Sequence, residues 1–119
     1  MATNFPLSEL LTAIDEQDAA KFASYLTEDA VFRYGSSPPV KGRQAVQDFV
    51  AGFFANLDAL SHRVSAKWED GDALICEGEV TYTLPNGKEV TVPFVNVFGM
   101  QNDRIKDYKI YIDPTPLAG

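Results

Sequence analysis

Two glutamates, Glu77 and Glu79, are the residues whose type and spacing most directly indicate chemistry. They lie two positions apart in a β-prone segment, so both side chains point to the same face of a strand, with Cα atoms roughly 6–7 Å apart. In an apolar cavity, desolvation and mutual repulsion raise the pKa of one member of a carboxylate pair, which can then take and return a proton. The alternative is a solvated strand face that continues through Thr81 and Thr83. The sequence leaves both interpretations open.

An amide and two phenols offer hydrogen bonds to a ligand. Asn96 is the one polar residue on an otherwise apolar face of its strand. A buried amide there needs a partner, which is a ligand carbonyl, the neighbouring Glu79 or a structural hydrogen bond. Tyr34 and Tyr108 can polarise a carbonyl or stabilise an oxyanion. Core or rim tyrosines with a satisfied hydroxyl are the alternative.

The chain has one histidine, His62, and one cysteine, Cys76. His62 begins a predicted strand and can titrate near neutral pH, or it is an exposed strand-end residue or a dimer contact. Cys76 lies in an apolar stretch and is expected to be a buried structural residue. One thiol and one histidine supply neither a disulfide nor a protein-built zinc site. Since no phosphate loop, nucleophile elbow or metal-ligand motif is present, we expect no cofactor and no metal.

Hydrophobic periodicity predicts three helices ahead of these residues. The first covers about residues 7–14, and the second runs from Ala19 to Leu26 with Asp18 as its N-cap. The third begins at Gly42 and has a wide aromatic face. Phe53 and Phe54 on this face either line a pocket or form plain core.

The rest of the sequence alternates β-rich segments with turn signals. A short β-prone piece covers Ala30 to Tyr34, and a Gly, Ser and Pro loop follows. Three later turn signals separate four predicted strands, at 61–69, 72–84, 88–99 and 104–113. Helices followed by a meander predict an α+β arrangement. Strand 88–99 is apolar on both faces, so we expect helices to cover one face and a second subunit to cover the other.

Length and charge exclude several classes of protein. The chain has 119 residues, which suits one domain over 1–119. Its net charge is −7 without any cluster of Lys and Arg, which argues against nucleic acid as a partner. No apolar run approaches membrane-span length and no signal peptide is evident, so we expect no membrane partner and a cytoplasmic location.

Several short segments, in order and spacing, resemble the SnoaL-like branch of the nuclear transport factor 2-like, or ketosteroid isomerase-like, superfamily. The resemblance covers nearly the whole chain and rests on the segments Asp18–Ala20, Leu26–Val31, Gly42–Val46, Trp68–Asp72, Val95–Phe98 and Ile105–Asp113. It implies a cone-shaped α+β barrel, with the N-terminal helices packed in the concave face of a curved antiparallel sheet. It also implies an apolar pocket and dimerisation through the outer sheet face. Members include isomerases, polyketide cyclases, epoxide hydrolases, dehydratases and non-catalytic binding proteins.

The resemblance to limonene-type epoxide hydrolases implies which side chains face the pocket. The side chains that this alignment places toward the pocket are those of Glu77, Glu79, Thr81, Val92, Phe94, Asn96, Tyr108, Ile110 and Ile112. Glu79 matches the first acid of that family, whereas Glu77 stands at its arginine and Ile110 at its second acid. The base position of the ketosteroid isomerases falls on Tyr34. Neither mechanism carries over whole, and a SnoaL-type acid/base residue remains open among Glu77, Glu79 and His62.

The sequence thus predicts a pocket protein for a small hydrophobic ligand. As an enzyme it would be a cofactor-free isomerase, cyclase or dehydratase acting on a small carbonyl or polyketide-like compound, with Glu79 as the base and Glu77 as its partner. The predicted ligand-binding residues are Tyr34, Phe53, Phe54, Phe94, Asn96 and Tyr108. The alternative is a non-catalytic binding or dimerisation module of the same fold. In either case we expect a homodimer.

Overall fold

Four helices and six strands make up the computed structural model of the chain, which describes residues 5–118. The elements in chain order are α1 (Leu7–Asp15), α2 (Ala19–Ala23), β1 (Leu26–Tyr34), β2 (Val40–Lys41), α3 (Arg43–Ala55), β3 (Ala59–Asp70), β4 (Ala73–Thr83), β5 (Glu89–Gln101), β6 (Arg104–Ile112) and α4 (Thr115–Ala118). The predicted α+β class, with helices first and a meander after, is confirmed.

The strands form one curved sheet in the order β2-β1-β6-β5-β4-β3. The sheet is open rather than closed, and it is mixed, because β1 runs parallel to β6 while every other pair is antiparallel. The four predicted hairpin strands correspond to β3–β6. At the last turn Asn102 and Asp103 have φ angles of 53° and 63°, as tight hairpin turns require.

Two boundaries near the N-terminus differ from the sequence prediction. Asp18 caps α2 as expected, since its Oδ1 accepts a hydrogen bond from the Lys21 amide at 3.0 Å. The helix ends at Ala23, however, and β1 begins at Leu26. Leu26 pairs with Ile105, whose amide also donates to the Tyr25 carbonyl oxygen at 2.9 Å. Pairing with β6 therefore overrides the local helical pattern at these residues.

Alternation along β4 and β5 separates an inner face, which packs against the helices, from an outer face. Even-numbered residues of β4 from Leu74 to Tyr82 are buried, whereas Glu77 and Glu79 between them are exposed. Aromatic rings fill the inner side, where Phe98 and Tyr108 lie 4.6 Å apart between ring centroids and Phe22 lies 5.5 Å from Tyr108. The core therefore sits between the helices and this face of the sheet.

A glycine allows β3 and β4 to approach closely at a bulge. The β3–β4 register shifts between Val64 and Ala66. Opposite this shift, a Cβ atom on Gly78 would lie only 1.9 Å from the carbonyl oxygen of Arg63. Any side chain at this position would push the two strands apart, so Gly78 is required by the packing of the backbone.

Candidate functional site

A small cavity lies between the inner face of the sheet and helices α1, α2 and α3, and its volume is about 50 Å³. All six predicted ligand-binding residues line it, namely Tyr34, Phe53, Phe54, Phe94, Asn96 and Tyr108. The structure thus brings together side chains from β1, α3, β5 and β6. A cavity of this volume has room for about one or two water molecules, so a larger ligand enters only if wall side chains move.

Aromatic side chains of α3 form the mouth of the cavity. Phe49 is 39% exposed and contacts Phe32, with 5.8 Å between ring centroids. Phe53 is half-buried between Tyr34 and Tyr82, at centroid distances of 5.3 and 5.9 Å. Because these two rings are packed on one side and exposed on the other, a rotation of either side chain can widen the mouth.

A carboxylate–imidazole pair lies at this cavity, with the imidazole in its wall and the carboxylate outside its lining. His62 lines it and places Nδ1 2.6 Å from Oδ1 of Asp15, the last residue of α1. The other carboxylate oxygen, Oδ2, accepts a hydrogen bond from the His62 backbone amide at 3.0 Å. The side chains of His62 and Asp15 are only 11% and 27% exposed. His62 is therefore neither an exposed strand-end residue nor free to rotate.

The hydrogen bond between Nδ1 of His62 and Asp15 determines which ring nitrogen is available to a ligand. A carboxylate only accepts hydrogen bonds, so the proton of the neutral imidazole resides on Nδ1. Nε2 is then left without a proton and able to act as a base. The ring also packs edge-on against Phe94, with 5.3 Å between centroids, which holds its orientation.

Two phenols meet at the same cavity. The hydroxyl oxygens of Tyr34 and Tyr82 are 3.2 Å apart, within hydrogen-bonding distance. One hydroxyl hydrogen is used between them, so the other remains available for a ligand oxygen. Burial raises the pKa of Tyr34 and of Tyr82 above the ordinary value, and Tyr34 adds to the rise at Tyr82. Both phenols therefore stay protonated and can donate.

Asn96 is the buried polar residue of the inner face and is 2% exposed. Cys76 lies opposite it on β4. Burial is the larger effect on the pKa of that thiol and raises it to about 11, whereas the Asn96 side chain acts to lower it. The amide oxygen Oδ1 of Asn96 has no hydrogen-bond partner among the described residues. The cavity wall thus presents an unused acceptor.

The expectation that Glu77 and Glu79 face the pocket is wrong. In the β4–β5 register Glu77 lies opposite Val95 and Glu79 opposite Pro93, whereas Asn96 lies opposite Cys76. Residues paired across a sheet share a face, so both glutamates lie on the outer face.

The surroundings of the two glutamates are those of a solvated surface. Glu79 forms an ion pair with Arg63, and these side chains are 47% and 79% exposed. Both glutamates line an open groove of about 720 Å³ together with Val95 and Tyr111. Thr81 and Ile75 share the outer face with them.

Two residues of the site were missed by the sequence reasoning. Asp15 lies 47 positions from His62 in the chain, and its place at the end of a helix resembles that of any surface acid. Tyr82 shares its strand face with Val80 and Cys76, which is a usable signal for an inward position. Among residues 5–118, no group of three or more His, Cys, Asp or Glu side chains is arranged to hold a metal ion.

The fold is that of nuclear transport factor 2-like and ketosteroid isomerase-like proteins. Residues 7–108 match the family model of the SnoaL-like domain. The chain therefore belongs to the SnoaL-like domain family. None of the helices in the described part of the chain is long and apolar enough to cross a membrane.

Solved structures agree in fold at low sequence identity. A putative SnoaL-like polyketide cyclase from Shewanella putrefaciens has a TM-score of 0.80 and 16% identity, covering 94% of this chain and 90% of the other. A ketosteroid isomerase-like protein from Catenulispora acidiphila, in complex with trimethylamine, has a TM-score of 0.83 and 12% identity, covering 92% and 86%. An epoxide hydrolase of the LEH-like type from M. tuberculosis has a TM-score of 0.79 and 16% identity, covering 92% and 80%.

Proposed function

We propose that this protein is a cofactor-free enzyme that moves a proton on a small apolar carbonyl compound, as in an isomerisation, an aldol-type cyclisation or a dehydration. The observation that carries the proposal is His62 in the wall of an apolar cavity, held by Asp15, which lies outside the lining of that cavity. His62 is the catalytic acid/base, and Asp15 is a positioning residue that acts through it. The base role expected of Glu79 and Glu77 is withdrawn, because both lie on the outer face.

The proposed reaction begins when Nε2 of His62 removes a proton from the carbon next to the ligand carbonyl. The electron pair of the C–H bond moves to the carbonyl oxygen and gives an enolate. The free hydroxyl hydrogen of the Tyr34–Tyr82 pair stabilises that oxygen, as an oxyanion donor does. The imidazolium, held by the Asp15 carboxylate, then returns the proton to another atom of the ligand. Such a cycle needs no cofactor and leaves His62 neutral.

The apolar wall of the cavity and a second, open cavity on the solvent side of His62 support this role. Rings from α3, β1 and β5 surround the cavity and keep water from the enolate. Asp15 and His62 also line a second, open cavity of about 480 Å³ between α1 and β3. The pair therefore lies between the inner cavity and solvent, so that its proton can exchange with water between turnovers.

The test is hydrogen–deuterium exchange at carbon. A panel of small cyclic ketones is incubated with the protein in D2O, and loss of the α-proton signal is followed by NMR. We expect the wild type to accelerate exchange of at least one ketone, and the His62→Gln variant to lose a factor on the order of 10²–10⁴ in rate.

The outer-face variants Glu77→Gln and Glu79→Gln serve as controls and should exchange like the wild type. Two results would overturn the proposal. One is that no ketone exchanges faster with the wild type than without protein. The other is that Glu79→Gln removes the exchange while His62→Gln retains it.

The outer sheet face supports a second proposal, that two copies of the chain form a dimer through it. Val95 and Val97 lie at the centre of this face, beside the exposed ring of Tyr111. On one side of them, β4 carries Glu77 and Glu79.

On the other side of Val97, Lys109 and Arg33 lie opposite each other on β6 and β1. Two exposed cations side by side on neighbouring strands repel each other. A two-fold axis between two stacked sheets, parallel to β5, would place the cations of one copy over the glutamates of its partner. The face is thus complementary to itself in charge.

Charge reversal tests the dimer. One variant carries Glu77→Lys and Glu79→Lys, and the other carries Arg33→Glu and Lys109→Glu. We expect light scattering to show a wild-type dimer, two monomeric variants and a restored dimer when the two variants are mixed. A monomeric wild type, or variants that remain dimeric on their own, would contradict the proposal.

A further inference from the structure

The amide oxygen of Asn96 is an unused hydrogen-bond acceptor inside the cavity. Asn96 lies in one row across the inner face, with Ile110 beside it on β6 and Tyr34 beyond that on β1. Cys76 lies opposite it on β4, and Oδ1 has no partner among the described residues. Buried amide oxygens in proteins are almost always paired, so an unpaired one in the wall of a cavity points to a missing donor.

The neighbouring protein groups do not supply that donor. Tyr34 is engaged with Tyr82, and Nδ1 of His62 is engaged with Asp15. A molecule in the cavity, either a water or a ligand, can supply the donor that completes the wall.

The properties of the cavity define the class of that molecule. A cationic donor would have to leave water for an apolar site with no carboxylate among its described lining residues, and Asp15 beside it already accepts two hydrogen bonds from His62. The donor is therefore neutral. A hydroxyl group is a compact neutral donor, and on a ligand it can take the place of a water molecule in a cavity of about 50 Å³. The aromatic wall made by Phe32, Phe53 and Phe94 favours a flat or cyclic carbon skeleton behind it.

We infer that the cavity binds a cyclic hydroxy compound whose hydroxyl hydrogen is donated to Oδ1 of Asn96. The inference rests on the proposed function in that it concerns the same cavity, and it names a feature of the ligand that proton transfer alone does not require. The ligand then carries one oxygen that donates to Oδ1 of Asn96. A second ligand oxygen accepts the free hydrogen of the Tyr34–Tyr82 pair. The substrate class is then a hydroxylated cyclic carbonyl compound.

Phenol and toluene are suitable probes, because they have nearly the same shape and only phenol donates a hydrogen bond. Dissociation constants are measured by NMR titration for the wild type and for Asn96→Leu. Toluene leaves water more readily than phenol, so the quantity compared is the ratio of the two constants within each protein. Any movement of the mouth residues affects both probes and cancels. We expect the preference for phenol to fall by about tenfold in Asn96→Leu, the value of one hydrogen bond to a buried amide.

Two separate measurements distinguish this inference from the proposed function, because the phenol preference depends on Asn96 whereas carbon exchange depends on His62. The phenol preference can therefore hold even if carbon exchange is absent, and the outer-face variant Glu79→Gln should keep the wild-type ratio. Anisole, which only accepts hydrogen bonds, should bind with no dependence on Asn96. Should Asn96→Leu fail to fold, Asn96→Ala removes the same acceptor.

Three results overturn the inference. The first is an equal ratio of the phenol and toluene dissociation constants in the wild type and in the Asn96 variants, which would show that the amide oxygen does not bind the hydroxyl group. The second is that the binding of anisole, rather than that of phenol, depends on Asn96, which would show that the amide nitrogen faces the ligand. Failure of both phenol and toluene to bind the wild type would show that the cavity does not open to a ring of this size.

Discussion

The Asp15–His62 pair gives a quantitative expectation for a double-mutant cycle. The cycle compares the free energy of unfolding of the wild type, Asp15→Ala, His62→Ala and the double variant. The His62 backbone amide is present in all four proteins, so the coupling energy isolates the contact between Nδ1 and Oδ1 at 2.6 Å. Hydrogen bonds to charged groups contribute about 1.5–3 kcal/mol. With side chains 11% and 27% exposed, solvent screens this contact little, and we expect a coupling in that range.

The ion pair between Arg63 and Glu79 is a control that begins one residue further along β3. Its side chains are 79% and 47% exposed, and exposed pairs of this kind contribute about 0–1 kcal/mol. Urea denaturation gives the four free energies for each cycle. Added salt should weaken the coupling of the surface pair more than that of the Asp15–His62 pair. A coupling for Asp15–His62 no larger than that of the control would refute the reasoning that the pair is held in a shielded site.

Three further expectations concern backbone packing, the cavity mouth and alkaline pH. Gly78→Ala places a Cβ 1.9 Å from the carbonyl oxygen of Arg63 and should lower the free energy of unfolding by about 3 kcal/mol or more in urea denaturation. Gly52→Ala, on α3 with open space around it, should raise that free energy by about 0.5–1 kcal/mol. Similar changes in stability for the two variants would contradict this expectation. Phe53→Ala removes a half-buried ring at the mouth, so toluene should bind more tightly in NMR titration at a cost of about 1–3 kcal/mol in stability, and unchanged affinity would show that the ring does not limit entry. The pKa of the folded Cys76 thiol, about 11, exceeds the ordinary 9.0, so the unfolded chain loses that proton first as pH rises. Stability is complete below about pH 9 and declines towards about pH 11, and Cys76→Ala should decline less in thermal denaturation; equal declines would contradict the assignment.

Much of the fold could be predicted, because its elements carry local signals. The period of apolar residues marks α1 and α3, and Asn102 and Asp103 adopt the left-handed conformations that their residue types favour at a hairpin. The start of β1 at Leu26 could not be predicted from its own segment. It depends on pairing with Ile105 in β6, which lies far along the chain.

The face of β4 shows where prediction of the site fails. A strand with period two has only two possible orientations, and an error of one residue in register exchanges them. The alignment that directed Asn96 and Phe94 inward was correct for β5 and wrong for Glu77 and Glu79 on β4. The polarity of the side chains is the better guide to the inner face of β4, since Cys76 and its even-numbered neighbours on that strand include no charged residue.

The Asp15–His62 pair was beyond sequence reasoning for a different reason. His62 was recognisable as a titratable residue, but its role depends on Asp15, which reaches it only because α1 packs against β3. No local pattern around either residue records that contact.

The most direct test of the central claim is a long-range ¹H–¹⁵N NMR spectrum of the imidazole side chain. His62 is the only histidine, so the signals of its two ring nitrogens need no assignment by mutation. With the ring neutral, we expect the proton on Nδ1, facing Asp15, and a bare Nε2 whose signal shifts when phenol enters the cavity. A proton on Nε2, or an Nε2 signal that ignores a bound ligand, would contradict the account of His62 as the base of this site.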